Sequence, residues 1–210
     1  MKKTIWVIGD VHGEYDKLAA LIEELPKDAH ICFVGDLIDR GKRSAYVLEL
    51  LVNSDYDCVL GNHEIFMLED NPLWHSNYGK KTIKSYYSLG FDKRLNHMKY
   101  LRRVSYFKYY EFKGHKPLVV SHSYIHDIWQ GKEFKYDEKD LDAMTWKHMT
   151  KQEQFNEKKE AQNNIYNIFG HTVLDEVVAT QNYAMIDTGA CFKDGKLTAI
   201  CYPTLEIVQV

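Results

Sequence analysis

Three short polar clusters in the first third of the chain carry residue types that bind divalent metal ions. Each is opened by a glycine, and they span residues 9–13 (GDVHG), 35–41 (GDLIDRG) and 61–64 (GNHE). Their carboxylate, imidazole and amide groups suit Mn, Fe, Zn or Mg, and the clusters contain no thiol. Two such ions about 3.5–4 Å apart can clamp a phosphoryl group and lower the pKa of bound water. The clusters therefore indicate a centre with two metal ions.

The elements around these clusters alternate between strand and helix. Apolar spacing predicts helices over 14–25 and 44–52, and apolar runs predict strands over 4–8, 30–34 and 57–60. Such alternation implies right-handed crossovers and parallel strands that are buried on both faces. Ligands of open parallel sheets bind beyond the carboxyl ends of the strands, so the three clusters are expected to meet at one edge.

The rest of the chain is richer in strands. A helix is predicted over 63–70, and strands are predicted over 106–112, 117–121, 165–169, 177–179, 183–186, 197–202 and 205–208. Residues 76–103 are polar and mixed, and the highly charged stretch 126–162 is predicted to be a helical excursion on the surface. We therefore expect an α/β first half and a β-rich second half in one domain over residues 1–210.

Composition excludes several classes of protein. Of 210 residues, 45% are hydrophobic and 27% are charged, and the formal net charge is −3. These values are typical of a globular protein and exclude collagen, a coiled coil and a disordered chain. No apolar run approaches the roughly 18 residues of a membrane span. Stable nucleic-acid binding is not expected, because the chain has no strong overall positive charge.

The cysteines predict a reducing environment. All four of them lie in or beside apolar runs, and no CxxC pair occurs: Cys32, Cys58, Cys191 and Cys201. Buried reduced thiols are the favoured interpretation, which predicts a cytoplasmic location.

Taken together, the three clusters resemble the signature motifs of the phosphoprotein phosphatase family of calcineurin-like metallophosphoesterases. The similarity is greatest to the small bacterial and phage serine/threonine protein phosphatases. It continues through residues 119–122 (VVSH), 169–172 (FGHT), 186–190 (IDTGA) and 195–199 (GKLTA). The resemblance implies an α/β fold, namely a single-domain αββα sandwich of mixed β-sheets flanked by helices.

The resemblance also implies a ligand set for two divalent ions. The first ion would be held by Asp10, His12 and Asp36. Asp36 would bridge to the second ion, which would be completed by Asn62, His122 and His171. Mn(II) is the first choice for both ions, with Fe, Zn and Mg as alternatives, because oxygen and nitrogen ligands accept several metals.

Three further residues have implied catalytic roles. His63 would be the general acid that protonates the leaving oxygen, and Asp39 would pair with it. Arg40 and Asn62 would bind the substrate phosphate, Arg40 through its planar fork of donors. A metal-bridging hydroxide would attack directly, so the reaction needs no covalent phosphoenzyme.

One departure from the family affects phosphate binding. Members usually place a second arginine shortly after a tryptophan, whereas the corresponding stretch here, 144–149 (MTWKHM), has none. Either Lys147 or His148 would replace it, or the second clamp is absent, and no arginine follows Arg103. Surface positions without a role are predicted for His30, His75, His97 and His115, and His126 is also left without one.

The leading hypothesis is a metal-dependent phosphomonoesterase that acts on phosphoserine or phosphothreonine, and on phosphotyrosine as well. Its partners would be phosphorylated proteins or peptides, small phosphate esters or nucleotides. The alternative is a dinucleoside polyphosphate hydrolase, or a phosphoesterase that acts on nucleotides or RNA ends, with the same two-metal site. A non-catalytic binding module is disfavoured, because every expected ligand is present. The sequence leaves the oligomeric state open.

Overall fold

The computed structural model describes residues 4–149 and 164–210. The helices in these residues are α1 (Tyr15–Glu24), α2 (Ser44–Val52), α3 (Asn62–Leu68), α4 (Lys80–Tyr86), α5 (Phe91–Leu101) and α6 (Glu138–Trp146), with a π-helical turn Trp74–Tyr78 before α4. The strands are β1 (Ile5–Ile8), β2 (Ile31–Phe33), β3 (Asp57–Cys58), β4 (Phe107–Tyr110), β5 (Leu118–Ser121), β6 (Tyr166–Phe169), β7 (Val178–Ala179), β8 (Tyr183–Met185), β9 (Thr198–Tyr202) and β10 (Ile207–Gln209).

Within the described residues, the strands form two mixed five-stranded sheets. The first has the order β10-β9-β1-β2-β3, and β1, β2 and β3 run parallel as predicted. The second has the order β4-β5-β6-β8-β7, in which β5, β6 and β8 are parallel and both edge strands are antiparallel. Parallel strands bring their carboxyl ends to a common edge, which is where the polar clusters begin.

The two sheets pack face to face, and helices cover their outer faces. Val7 and Cys32 point from the first sheet into the space between the sheets, where Val120 and Ile168 meet them. Alternate residues such as Phe33 face the opposite way and pack against the helices α1 and α2, because successive strand side chains point to opposite faces. The resemblance-based prediction of a single-domain αββα sandwich of mixed sheets is therefore confirmed.

The predicted excursion at 126–162 is partly covered by the structure. In α6, Met144 is fully buried and packs with Val119 and Ile165 on the outer face of the second sheet. The remaining predicted residues, 150–162, lie outside the described ranges. No helix in the described part of the chain is both long enough and apolar enough to cross a bilayer.

The surface position predicted for His97 is wrong. Residues 76–103 form α4 and α5, which pack on α2 and bury His97 completely. Its Nδ1 lies 2.8 Å from the Tyr86 hydroxyl, and its Nε2 lies 3.0 Å from a carboxylate oxygen of Glu49. Polar composition concealed these helices, because only one stripe of each helix is apolar. His126 is also buried, with its Nε2 3.1 Å from the carbonyl of Asn182.

Replacing Leu48 in α2 tests the packing between the helices and the first sheet. Leu48 is fully buried, so Leu48→Ala is expected to lower the free energy of unfolding by about 2–5 kcal/mol. Leu95→Ala in α5 is the matched control, because Leu95 is 39% exposed, and its effect should stay within about 0.5 kcal/mol. Urea denaturation followed by circular dichroism measures both. Equal losses in the two variants would contradict this packing.

Candidate metal centre

The candidate metal centre is built from residues that directly follow strands. β1 leads to Asp10 and His12, β2 leads to Asp36, and β3 leads to Asn62 at the start of α3. In the second sheet, β5 leads to His122 and β6 leads to His171. His171 is partly buried, and the other residues named here are at most 6% exposed. The fold thus brings all six predicted ligands to one edge.

The backbone of this region is strained. Several non-glycine residues adopt positive φ angles: His12 (47°), Asp36 (49°), Asp39 (72°), Arg40 (57°) and His171 (65°). Each such residue costs on the order of 1–3 kcal/mol, so other contacts must hold it in place. The carbonyl of Asp36 accepts hydrogen bonds from the amides of Val11 and His12, which tie the first and second clusters together.

Asp36 lies at the middle of the site. His12 and His63 approach its Oδ2 through their Nε2 atoms, at 3.6 and 3.9 Å, and Nε2 of His122 lies 3.4 Å from its Oδ1. Two groups of candidate ligand atoms share this carboxylate, one with His12 and His63 and the other with His122 and His171. If two ions bind, a carboxylate that faces both groups would be a ligand shared between them.

The imidazole tautomers favour metal binding. Nδ1 of His12 donates to the carbonyl of Ile38, and Nδ1 of His122 donates to the carbonyl of Val34, both at 2.9 Å. Each ring therefore turns the lone pair of its Nε2 toward Asp36, and a divalent cation satisfies acceptors that face each other in this way. Nε2 of His12 is buried and has no hydrogen-bond partner among the described residues.

Burial keeps these histidines neutral. It lowers the pKa of His12 to about 3, and burial together with the neighbouring His122 lowers the pKa of His171 to about 3. Burial also lowers the pKa of His122. Because a metal ion binds only the unprotonated nitrogen, the rings are in the form that ligates metals at neutral pH.

Buried carboxylates add a second argument for cations. Burial, Asp187 and Asp36 raise the pKa of Asp10 well above its ordinary value. Burial also raises the pKa of Asp187 to about 6, and Oδ2 of this residue has no hydrogen-bond partner among the described residues. Like charges this close disfavour ionisation unless cations compensate for them. The donor set and its charge therefore fit two divalent ions.

Two buried acidic residues of the site, Asp187 and Glu64, received no role from the sequence. Asp187 follows β8 just as the predicted ligands follow their strands, so the strand-end rule could have identified it. The carboxylate of Glu64 accepts hydrogen bonds from the amides of Asp36, Leu37 and Gly61, at 2.8, 2.9 and 3.0 Å. Burial and Asp36 raise the pKa of Glu64 to about 8. Glu64 thereby joins the second cluster to the third.

Asp10 lies slightly apart from both ligand groups. Its carboxylate accepts a hydrogen bond from the amide of His171, at 3.2 Å from Oδ1, and thus links the first sheet to the second. Gly170 makes this approach possible, since a Cβ at that position would clash with the Asp10 carboxylate. The structure places His63, rather than Asp10, among the three closely spaced ligand atoms on the His12 side of Asp36.

His63 and Asp39 form a buried pair. Nδ1 of His63 lies 2.6 Å from Oδ2 of Asp39, which is completely buried. The indole N–H of Trp74 donates to the same carboxylate at 3.0 Å, and the Thr82 hydroxyl donates to it at 2.6 Å. Burial opposes protonation of His63, but Asp36 and Asp39 outweigh it and raise its pKa. The sequence carried no signal for Trp74 or Thr82, because their contacts depend on how α4 packs.

The structure distinguishes the two candidates for the missing arginine. The ammonium of Lys147 is paired with Asp127 and lies 5.5 Å from the ring centre of Tyr124. The ring of His148 stacks on His171, with 4.2 Å between centroids and 26° between planes. Of the two, His148 therefore lies beside the predicted metal ligands.

Aromatic side chains form a rim on the side of His63. The ring centroid of Tyr78 lies 5.6 Å from that of His63, and Phe66 stacks on Tyr78. Trp146 packs on Phe66, with 4.9 Å between their centroids, and approaches His171. Tyr78 and Trp146 are 46% and 38% exposed, so the rim presents ring surface to solvent.

Comparison with known proteins identifies the family. A family model described as calcineurin-like phosphoesterase matches residues 3–200. This chain belongs to that family. The calcineurin-like phosphoesterase fold thus accounts for the two sheets and for the strand-end clusters. Family membership also establishes the chain as a hydrolase with a candidate metal centre of His and Asp ligands.

Curated relatives have two different activities in their names. The chain is 29% identical over 195 residues to serine/threonine-protein phosphatase 2 of Escherichia coli (strain K12), covering 89% of this chain and 87% of the relative. It is 26% identical over 233 residues to the asymmetrical bis(5'-nucleosyl)-tetraphosphatase PrpE of Bacillus cereus (strain Q1), covering 97% and 92%. The cold-active protein-tyrosine phosphatase of a psychrophilic Shewanella species shares the fold, with a TM-score of 0.65, 17% identity, and coverage of 100% of this chain and 78% of that one.

Replacing the central carboxylate tests the metal centre. Asp36→Asn is expected to reduce the Mn(II) bound per chain from two ions to at most one, because both ligand groups share this side chain. The fold should persist, since the substitution relieves repulsion among buried carboxylates. Equilibrium dialysis with metal analysis measures the stoichiometry. Asp92→Asn on the exposed start of α5 should keep both ions; two ions retained by Asp36→Asn would contradict the assignment.

Proposed function

We propose that this phosphoesterase hydrolyses phosphomonoesters of serine and threonine, and also of tyrosine, with two divalent metal ions, Mn(II) first among them. The observation that carries the proposal is the arrangement around Asp36. Two groups of candidate ligand atoms share its carboxylate, and His63, which belongs to the first group, is paired with buried Asp39 through its Nδ1. The imidazoles of the proposed metal ligands and the proposed proton donor thus surround the Asp36 carboxylate.

The proposed metal ligands are Asp10, His12, Asp36, Asn62, His122 and His171, as the resemblance implied, with Asp187 as a further acidic neighbour. When bound, two divalent ions would neutralise charge on a phosphoryl group and lower the pKa of water. The chain itself adds positive charge through Arg40, whose guanidinium interacts electrostatically with Asp36 and Asp10. Its planar fork suits two phosphate oxygens, and Asn62 offers an amide to a third.

His63 would donate the proton that the leaving oxygen needs. Asp39 accepts a hydrogen bond from Nδ1, so a proton that His63 gains would lie on Nε2, the nitrogen that faces Asp36. The raised pKa of His63 favours this protonated form. Trp74 and Thr82 position the pair, because both donate to the Asp39 carboxylate.

Removing the proposed proton donor should affect substrates unequally. His63→Asn is expected to lower kcat on a phosphoserine peptide by about 10²–10⁴-fold. The loss on p-nitrophenyl phosphate should be much smaller, because nitrophenolate leaves without protonation. Steady-state assays with Mn(II) measure both rates. His115→Asn, an exposed turn histidine, serves as the control and should behave as the wild type; equal losses of kcat on both substrates in His63→Asn would argue against a general acid.

Hydrolysis of dinucleoside polyphosphates is the second candidate. It is favoured by the similarity to the bis(5'-nucleosyl)-tetraphosphatase over 97% of this chain, and by the absence of a second arginine clamp. The exposed rings of Tyr78 and Trp146 offer stacking surface for a base. Initial rates on a phosphoserine peptide and on diadenosine tetraphosphate, from one preparation, separate the candidates. Turnover of the peptide alone supports the first, and turnover of the tetraphosphate alone supports the second.

A further inference from the structure

A basic cleft opens beside Arg40, on the outer side of the second polar cluster. Its volume is about 520 Å³, and its walls come from the loop after β1, the loop after β2 and the start of α4. Four cationic side chains line it, namely Arg40, Lys42, Arg43 and Lys81. Only two carboxylates, Glu14 and Asp16, share the lining. A chain with a net charge of −3 thus concentrates positive charge at this position.

The charge of the cleft is only partly neutralised from within. Asp16 is paired with Arg43, at 2.5 Å between Oδ1 and Nη1. Lys81 donates to the backbone carbonyl of Arg40, a contact that does not neutralise its positive charge. Lys42 is exposed and has no ion-pair partner among the described residues. The cationic groups of the cleft therefore exceed its carboxylates, and an anion would relieve their mutual repulsion.

The cleft and the metal centre share a fixed wall. The amide of Gly41 donates to the carbonyl of His12 at 2.8 Å, and the amide of Arg43 donates to the carbonyl of Gly13 at 3.0 Å. Gly41 is packed so closely that a Cβ would overlap the His12 carbonyl. The loop that carries the cations is therefore tied to a predicted metal ligand. An anion in the cleft would lie next to a phosphate held at Arg40.

We infer that this cleft binds further phosphates of a substrate in which a phosphoanhydride chain continues from the reacting phosphate. Arg40 would contact the reacting phosphate, and Lys42 and Lys81 would contact the next one. Adjacent binding through a shared arginine suits phosphates joined by a single bridging oxygen. Lysine and arginine form charge-assisted hydrogen bonds with such oxygens. The inference rests on the proposed phosphoester hydrolysis and assigns a subsite to the phosphate chain of the second candidate substrate.

Anion binding by the whole chain tests the subsite without turnover. Inorganic tripolyphosphate and orthophosphate are titrated calorimetrically into protein kept free of metal with EDTA. We expect tripolyphosphate to bind at least about tenfold more tightly than orthophosphate. Lys42→Gln combined with Lys81→Gln should weaken tripolyphosphate binding roughly tenfold or more, the size of a lost charge-assisted contact.

A control variant separates the subsite from general charge effects. Lys84→Gln removes the same charge from an exposed position on α4, outside the cleft, and should leave the affinity for tripolyphosphate unchanged. The inference is overturned if the double variant binds tripolyphosphate as the wild type does, or if Lys84→Gln weakens binding as much as the double variant does. Wild-type turnover of p-nitrophenyl phosphate with Mn(II) tests the proposed function separately, so the two can fail independently.

Discussion

The structure depends on one electrostatic problem, the burial of the Asp36 carboxylate beside other carboxylates and the Nε2 lone pairs of neutral imidazoles. Imidazole nitrogens of His12 and His122 turn their lone pairs toward it, and Asp10 and Asp187 add like charge. Such an arrangement is unfavourable in an interior with low dielectric, unless cations lie between the acceptors. The strained backbone at Asp36 belongs to the same problem, since it aims the carboxylate at both ligand groups. Two divalent ions bound there would relieve the repulsion and would supply the chemistry.

Residues that do not face the metal positions keep this arrangement in place. The Glu64 carboxylate accepts hydrogen bonds from four backbone amides in two different clusters, so the loop after β2 cannot shift without the start of α3. Asp39 is held in the same way by Trp74 and Thr82. These contacts run from the outer helices to His63, the proposed proton donor. Helix packing far from the phosphate therefore determines the orientation of the proposed general acid.

Two different surfaces border the centre. Aromatic rings of Phe66, Tyr78 and Trp146 lie on the side of His63, whereas the cations of the cleft lie beyond Arg40. A phosphomonoester would contact only the bound metal ions and Arg40, and neither of these surfaces. A substrate with rings and several phosphates would use both surfaces, which is consistent with the two activities named among the relatives.

The sequence by itself determined the parallel strands at the start of the chain and the residues that follow them. Apolar runs fix those strands, and glycine-led clusters at their ends can only meet at one edge, so the proximity of Asp10, Asp36 and Asn62 followed from local pattern. The resemblance added His122 and His171, which the second sheet brings to the same place. Only the tertiary structure decided the burial of His97, the contacts of Trp74 and Thr82 with Asp39, and the position of His148 rather than Lys147 at the site. Each of these features depends on packing between segments that are far apart in sequence. The type of a side chain does not indicate which distant residue will become its neighbour. The basic cleft has the same origin, because the fold alone brings Lys81 beside Arg40 and Lys42.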